Sequence, residues 1–212
     1  MVKNIGPKCR KCRTEGVQLF LKGDKCETGK CQIIKKKGIP GQHKRLMKKP
    51  SEYQTQLRAK QQVKKIYGIM ERQFRRYFAE SSKQKGMTGL NLLLTLETRL
   101  DNIVRKLGFA SSLSQARQLV LHKHVKVNDK VVNIASHGIK VNDKIQVSPK
   151  FKENIFVKKS VETSQKKGIP GWLALDSSGV GSVVRFPARE EMSVPYDPER
   201  PKEQLIVELY SK

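Results

Sequence analysis

All four cysteines of this 212-residue chain fall within its first 31 positions, as Cys9-x2-Cys12-x13-Cys26-x4-Cys31, and none follows. Two close pairs joined by a short loop are what a tetrahedral thiolate site requires, because each knuckle brings two sulfurs to one ion. Zinc is the expected ion, and an iron–sulfur cluster, which uses the same ligand type, stays open as the alternative. A disulfide pair and four unrelated structural thiols compete with both. Met1 to Lys11 lacks the apolar core of a signal peptide, which points to a reducing cytoplasm and weighs against the disulfides. Four thiolates leave no position for a catalytic water. With Lys8, Arg10, Lys11 and Arg13 around the first knuckle, the metal is expected to hold a basic loop in shape.

That loop belongs to a strongly cationic chain. Lys and Arg number 44 against 19 Asp and Glu, a net charge of +25, and such a field attracts polyanions. The excess is uneven. Residues 1–50 carry 15 cations and 3 carboxylates (+12), residues 51–90 and 91–150 carry +6 each, and residues 151–212 are near neutral at +1. A nucleic acid is therefore expected to meet the first 150 residues. Of the cations 31 are Lys and 13 Arg; Lys suits backbone neutralisation and the planar Arg suits specific contacts. A membrane surface is the rival partner, but no run of about 18 apolar residues exists to span one.

Apolar periodicity begins only after Ser51. Ser51-x-x-Gln54 reads as a capping box, followed by a stripe of Tyr53, Leu57, Val63, Ile66 and Tyr67 that Gly68 interrupts. A second helix is predicted from Met70 to about Ser81, with Phe74, Tyr77 and Phe78 inward and Arg72, Arg75 and Arg76 on the opposite face. Leu93, Leu96, Leu100, Ile103, Val104 and Leu107 mark a third, ended by Gly108. Ser112-x-x-Gln115 opens a fourth, with Leu113, Ala116, Leu119 and Val120 inward. Val125–Val127 and Val131–Ile134 alternate around Asn128-Asp129 as a hairpin. A strand from Lys144 to Val147 follows Asn142-Asp143, and the late text LIVEL reads as one more strand. The fold class is α+β: an N-terminal four-cysteine metal knuckle with a basic arm, a helical lobe, and a second lobe in which two helices lie on a small antiparallel sheet. The arm spans Lys35 to Pro50 and holds Lys35, Lys36, Lys37, Gln42, His43, Lys44 and Arg45. The hexapeptide KKGIPG recurs at 36–41 and 166–171, one short match of the kind that arises by coincidence.

The run LETRLDNIVRKLGFASSLSQARQLVLHKHVKVNDKVVNI, from Leu96 to Ile134, resembles the RNA-binding module named after small-subunit ribosomal protein S4. The knuckle text GPKCRKCRTEGV, the arm PGQHK, the helix IYGIMERQFRRYF and the ending EQLIVELYSK resemble the bacterial-type S4 family itself, so the resemblance covers essentially the whole chain. It implies a primary binder of small-subunit ribosomal RNA that nucleates assembly of the RNA's 5′ domain. It further implies contact with ribosomal protein S5 and other small-subunit proteins, and a place in the cytoplasmic ribosome beside the channel through which messenger RNA enters, supporting accuracy. No membrane or small-molecule substrate is implied. The implied organisation is a metal-binding extension over 1–45 and a helical lobe over 46–96, completed by about 189–212. A module lobe follows over 97–188, with its core at about 97–160. The implied RNA face takes in Arg58, Arg72, Arg75 and Arg76, then Arg99, Ser112, Gln115, Arg117, Gln118, His122, Lys123, His124, Lys126 and Asn128. The chain departs from the family pattern at Asp129 and Asn142, where Gly is usual. It also departs in the Lys-rich arm and in a longer charged stretch near Tyr196 to Lys202.

Enzymatic readings find little support. There is no Gly-rich phosphate loop, zinc-protease helix or nucleophile constellation, and Glu190-Glu191 lies in a charged stretch whose default is a solvated face. The rival from another class is a zinc-bearing DNA-binding regulator, separable by competition between A-form RNA and B-form DNA.

Overall fold

The computed structural model describes residues 6–35, 38–41, 50–176 and 178–211. In chain order its helices are α1 (Lys8–Glu15), α2 (Gln32–Lys35), α3 (Glu52–Ile66), α4 (Glu71–Ser81), α5 (Thr88–Glu97), α6 (Leu100–Lys106), α7 (Leu113–Leu121), α8 (Pro149–Lys152), α9 (Ile155–Lys167) and α10 (Lys202–Tyr210). The strands are β1 (Val125–Val127), β2 (Lys130–Val131), β3 (Lys144–Val147), β4 (Leu173–Leu175) and β5 (Val180–Val183). The class is α+β. The chain divides into two compact units, Met1–Leu93 with Ser193–Lys212, and Leu94–Met192.

In the first unit, Ser51 caps α3 by accepting from the Gln54 amide at 3.2 Å. Ala59, Val63 and Ile66 are buried while Tyr53 is exposed, so the apolar stripe starts a turn later than the patterning predicts. Gly68, at φ 62°, ends the helix in a Schellman turn. The Ile69 amide donates to the Lys64 carbonyl at 3.0 Å and the Gly68 amide to Lys65 at 3.3 Å.

The text LIVEL is not a strand. It lies in α10, where buried Glu203 and Ile206 and half-buried Tyr210 recur at the spacing of one helical face. That face meets α3 and α4: the Tyr210 ring centroid is 4.5 Å from that of Phe78, and its hydroxyl donates to Glu71 Oε1 at 3.1 Å. Glu71 also accepts from Lys60 at 3.0 Å and Lys64 at 2.7 Å. Burial raises the Glu71 carboxyl, but hydrogen bonds from Lys64 and then Lys60 outweigh it and hold the group at about 2. Burial, followed by the Glu71 charge, pushes the Tyr210 phenol up.

The second unit is built on an antiparallel sheet of order β2-β1-β3-β5-β4 among the described residues. Its core gathers Leu100, Ile103 and Val104 of α6 with Leu107 that caps it, Ala116, Leu119 and Val120 of α7, inward strand residues and Trp172. The strands β4 and β5 lie outside the sequence expectation, and β2 stops at Val131 rather than reaching Ile134.

The predicted third helix is two helices. Arg99, at φ −65° and ψ 138°, is the N-cap of α6. The amides of Leu100 and Asp101, which the break frees, donate to the carbonyls of His137 at 2.9 Å and Ala135 at 3.2 Å. Loop residues far along the chain therefore satisfy the new helix start.

Candidate nucleic-acid interface

In the second unit, helix α7 begins where Ser112 Oγ accepts from the Gln115 amide at 3.4 Å. Gln115 Oε1 reaches back to the Ser111 amide at 3.0 Å and hydroxyl at 2.8 Å. Ser112, which is buried, and Gln115 thus start the helix. The helix ends in another Schellman turn, with the His124 amide on the Leu119 carbonyl at 3.1 Å and the Lys123 amide on Val120 at 3.0 Å. Such a turn needs a left-handed residue, and Lys123 supplies it at φ 63°, a conformation in which glycine is unstrained and lysine is not. The result is an exposed corner of His122 and Lys123. The His124 ring lies 4.1 Å from that of Phe151, centroid to centroid and nearly parallel, and 6.2 Å from that of His122.

The hairpin after this corner turns on two left-handed residues, Asn128 at φ 47° and Asp129 at φ 65°, and Asn142 takes φ 70°. Asn and Asp are the residues besides Gly that tolerate this region best. Asn128 does more than turn. Its Nδ2 donates to Asp143 Oδ1 at 2.8 Å, and its Oδ1 accepts from the Lys144 amide at 2.9 Å. Its carboxamide therefore ties the turn to β3. Lys130, Lys140 and Lys144, exposed around the same turns, are cations that the sequence reading passed over.

Two arginines approach one carboxylate. Arg99 is 1% exposed; its Nε donates to Asp101 Oδ1 at 3.1 Å and its NH2 to Oδ2 at 2.8 Å, a two-pronged pair. Arg117 comes within 3.9 Å of the same carboxylate, with its side chain 11% exposed. Both guanidiniums face an interior carboxylate. The remaining module residues, Gln118, His122, Lys123, His124 and Lys126, reach the surface wholly or in part.

In the first unit, Arg72, Arg75 and Arg76 line the exposed face of α4. Arg75 and Arg76 pair one turn away with Glu71 at 3.3 Å and Glu80 at 2.9 Å, exposed pairs that cost little to exchange for phosphate, and Arg75 also reaches the Tyr210 hydroxyl. Arg58 is committed elsewhere. It lies 3.4 Å from Glu15, whose side chain is fully buried and also accepts from Lys65. This pair fastens α1 to α3, and no sequence signal separated Glu15 from a solvated acid.

Helix α1 carries Cys9 and Cys12, Cys26 closes a 3-10 turn over Gly23–Cys26, and Cys31 precedes α2. No disulfide joins the four, and all but Cys9 are buried. Burial pushes the Cys12 and Cys26 thiols up; backbone amides, from Leu19 to Cys12 and from Lys22 to Cys26, oppose it, and the neighbouring sulfurs add to it. The Lys22 amide stands 3.3 Å from Cys26 Sγ, and Gln18 Nε2 stands 3.7 Å from Cys31 Sγ. Among the described residues no group of three or more His, Cys, Asp or Glu side chains is arranged to hold a metal ion. Arg10 is exposed and Lys8, Lys11 and Arg13 partly so, with Arg13 Nε donating to the Gly38 carbonyl at 3.1 Å. Lys35 ends α2, whereas Lys36, Lys37, Gln42, His43, Lys44 and Arg45 lie outside the described residues.

Exposed cations on rigid helix faces, a helix-plus-hairpin module with a basic corner, and amide-bonded thiols in a basic extension define a cationic, polyanion-binding class of protein. Residues 3–97 match the family model described as the ribosomal protein S4/S9 N-terminal domain, and residues 98–145 match the S4 domain. The small ribosomal subunit protein uS4 of Caldicellulosiruptor saccharolyticus is 52% identical over an alignment covering 100% of both chains. Those of Heliobacterium modesticaldum and Kosmotoga olearia are 48% and 46% identical over the same full span. The chain belongs to the uS4 family of small-subunit ribosomal proteins.

Proposed function

We propose that this protein is a structural, non-enzymatic constituent of the small ribosomal subunit that binds its ribosomal RNA and works in the cytoplasm as part of the ribosome. Full-length identity to uS4 proteins carries the reading. The finer roles belong to the same proposal: first binding to the RNA's 5′ domain, contact with S5, and support of accuracy beside the path of messenger RNA. The two compact units correspond in this reading to the helical lobe and the module lobe. RNA is held by Lys123, His122, His124, Lys126 and Gln118 in the module. On the other unit it is held by Arg72, Arg75, Arg76 and the basic extension from Lys8 through Arg45. Lysines neutralise phosphates while the rings and amides read shape.

The same proposal gives the four cysteines one zinc ion, with an iron–sulfur cluster as the alternative. Backbone amides directed at the Cys12 and Cys26 sulfurs favour thiolates, the form a metal requires, against the burial that pushes both thiols up. Bound zinc would supply a structural cross-link and no chemistry.

The test is binding of the full chain to small-subunit ribosomal RNA against competitor B-form DNA over a salt series. Reversing Lys35, Lys36 and Lys37 to Glu should weaken binding and flatten the salt slope by roughly 0.7 to 0.9 per lost phosphate contact. Reversing Lys158, Lys159 and Lys202 should do little. Equal effects of the two sets, or equal affinity for DNA, would overturn the proposed face.

A further inference from the structure

Phe20 stands in the loop between the two cysteine pairs with φ 49° and 48% of its surface exposed. A bulky side chain rarely takes a left-handed backbone, and where one does the surrounding structure must enforce it. Here the enforcement is visible. Before Phe20, Leu19 is buried and its amide bonds to the Cys12 sulfur. After it, the amides of Leu21 and Lys22 bond to the Cys26 sulfur, the latter at 3.3 Å. The chain is tied on both sides, and the residue between is lifted outward. Glycine would hold that backbone with less strain, so what phenylalanine adds is a ring on the surface.

The surroundings identify what the ring meets. Lys22, Lys25 and Lys30 are exposed close by in sequence alongside Asp24 and Glu27, and the extension as a whole, residues 1–50, carries 15 cations against 3 carboxylates. An exposed aromatic ring on a cationic extension is the pairing that single-stranded nucleic acid uses, phosphates drawn by the field and a base stacked on the ring. An apolar protein surface would not need that charge.

We propose that Phe20 is a stacking platform for an unpaired nucleobase of the ribosomal RNA. This rests on the RNA-binding reading above and adds a base contact in the cysteine loop.

Phe20→Gly and Phe20→Trp, made in the full-length protein, test it against a small-subunit ribosomal RNA transcript. Phe20→Gly relieves the backbone, so it should unfold no more easily than the parent and show the same thiol accessibility, yet bind roughly 5- to 150-fold more weakly. The loss should be the same at every salt concentration, because stacking releases no counterions. Phe20→Trp should keep the affinity and show RNA-dependent quenching beyond that of Trp172 in the parent. Unchanged affinity in Phe20→Gly refutes the proposal, as does a changed salt slope. Normal binding to naked RNA with poor retention in assembled subunits would assign the ring to a protein neighbour and refute it equally. A parent chain that bound no ribosomal RNA would bring down the underlying reading and this one with it.

Discussion

Glu71→Gln should loosen the first unit at neutral pH and matter less and less in acid. Glu71 gathers Lys60 and Lys64 from α3, Arg75 from its own helix and the Tyr210 hydroxyl from α10, so one carboxylate joins three helices. A carboxyl held at about 2 rather than 4.5 corresponds to a ceiling of about 3.4 kcal/mol. With a third of its side chain exposed, solvent screening reduces this to about 1–2 kcal/mol. Because the folded value is depressed, the contribution is fully present above pH 4.5 and fades as pH falls toward 2. Urea unfolding followed by far-ultraviolet dichroism at pH 7 and at pH 3 measures the difference directly. Emission from Trp172, in the other unit, should shift much less. A cost that is absent at pH 7, or that stays the same at both pH values, would refute the argument.

Three further outcomes are expected. Elemental analysis should find one zinc per chain, and chelation should spare most of the helical signal because α3, α4 and α10 hold one another; global unfolding would show that the metal supports the whole fold. Asp101→Asn takes the negative charge from beside the buried Arg99 guanidinium and the partly buried one of Arg117 and should cost about 3–5 kcal/mol in chemical denaturation, whereas a loss below about 1 kcal/mol would mean that Arg99 and Arg117 are neutralised elsewhere. Lys123→Gly should raise stability by about 1 kcal/mol, by removing left-handed strain, while weakening RNA binding, and a gain in both would remove Lys123 from the interface.

Signals confined to a few neighbouring residues were legible in the sequence. Ser51 and Ser112 cap the helices their spacing predicts, Asn128-Asp129 takes the paired positive φ of a two-residue turn, and β3 has the predicted bounds. What stayed hidden depends on distant partners. The break before α6 is stable because Ala135 and His137 supply carbonyls, and nothing near Arg99 announces them. LIVEL satisfies strand and helix templates alike, as short apolar runs do, and the choice falls to the aromatic neighbours of Tyr210. Leu173–Leu175 and Val180–Val183 are as short as β1 and β3 but lack the Asn-Asp pair that adjoins each of those. Gly181 among them lies so close to α6 that an added Cβ would collide with the Leu107 side chain.

Charge was the strongest functional signal, yet it leaves one thing out. Sequence records the sign of a side chain and not which side of the surface it occupies. Glu15, Glu71, Glu97 and Asp101 each hold Lys or Arg, and Arg58, Arg99, Lys106 and Arg117 are thereby engaged within the fold. Removing a cation of this inner set should lower stability and leave the salt slope of RNA binding intact. Removing an outer one such as Lys123 or Arg76 should leave stability nearly unchanged or raised and reduce the slope by roughly 0.7 to 0.9. Lys106→Met and Arg76→Met make the cleanest pair. Lys106 is buried against Glu97 at 3.1 Å and over the Trp172 ring, and Arg76 is 79% exposed. A slope that falls equally in both variants would mean that net charge alone governs binding and that the inner pairs do not divide the cations by task.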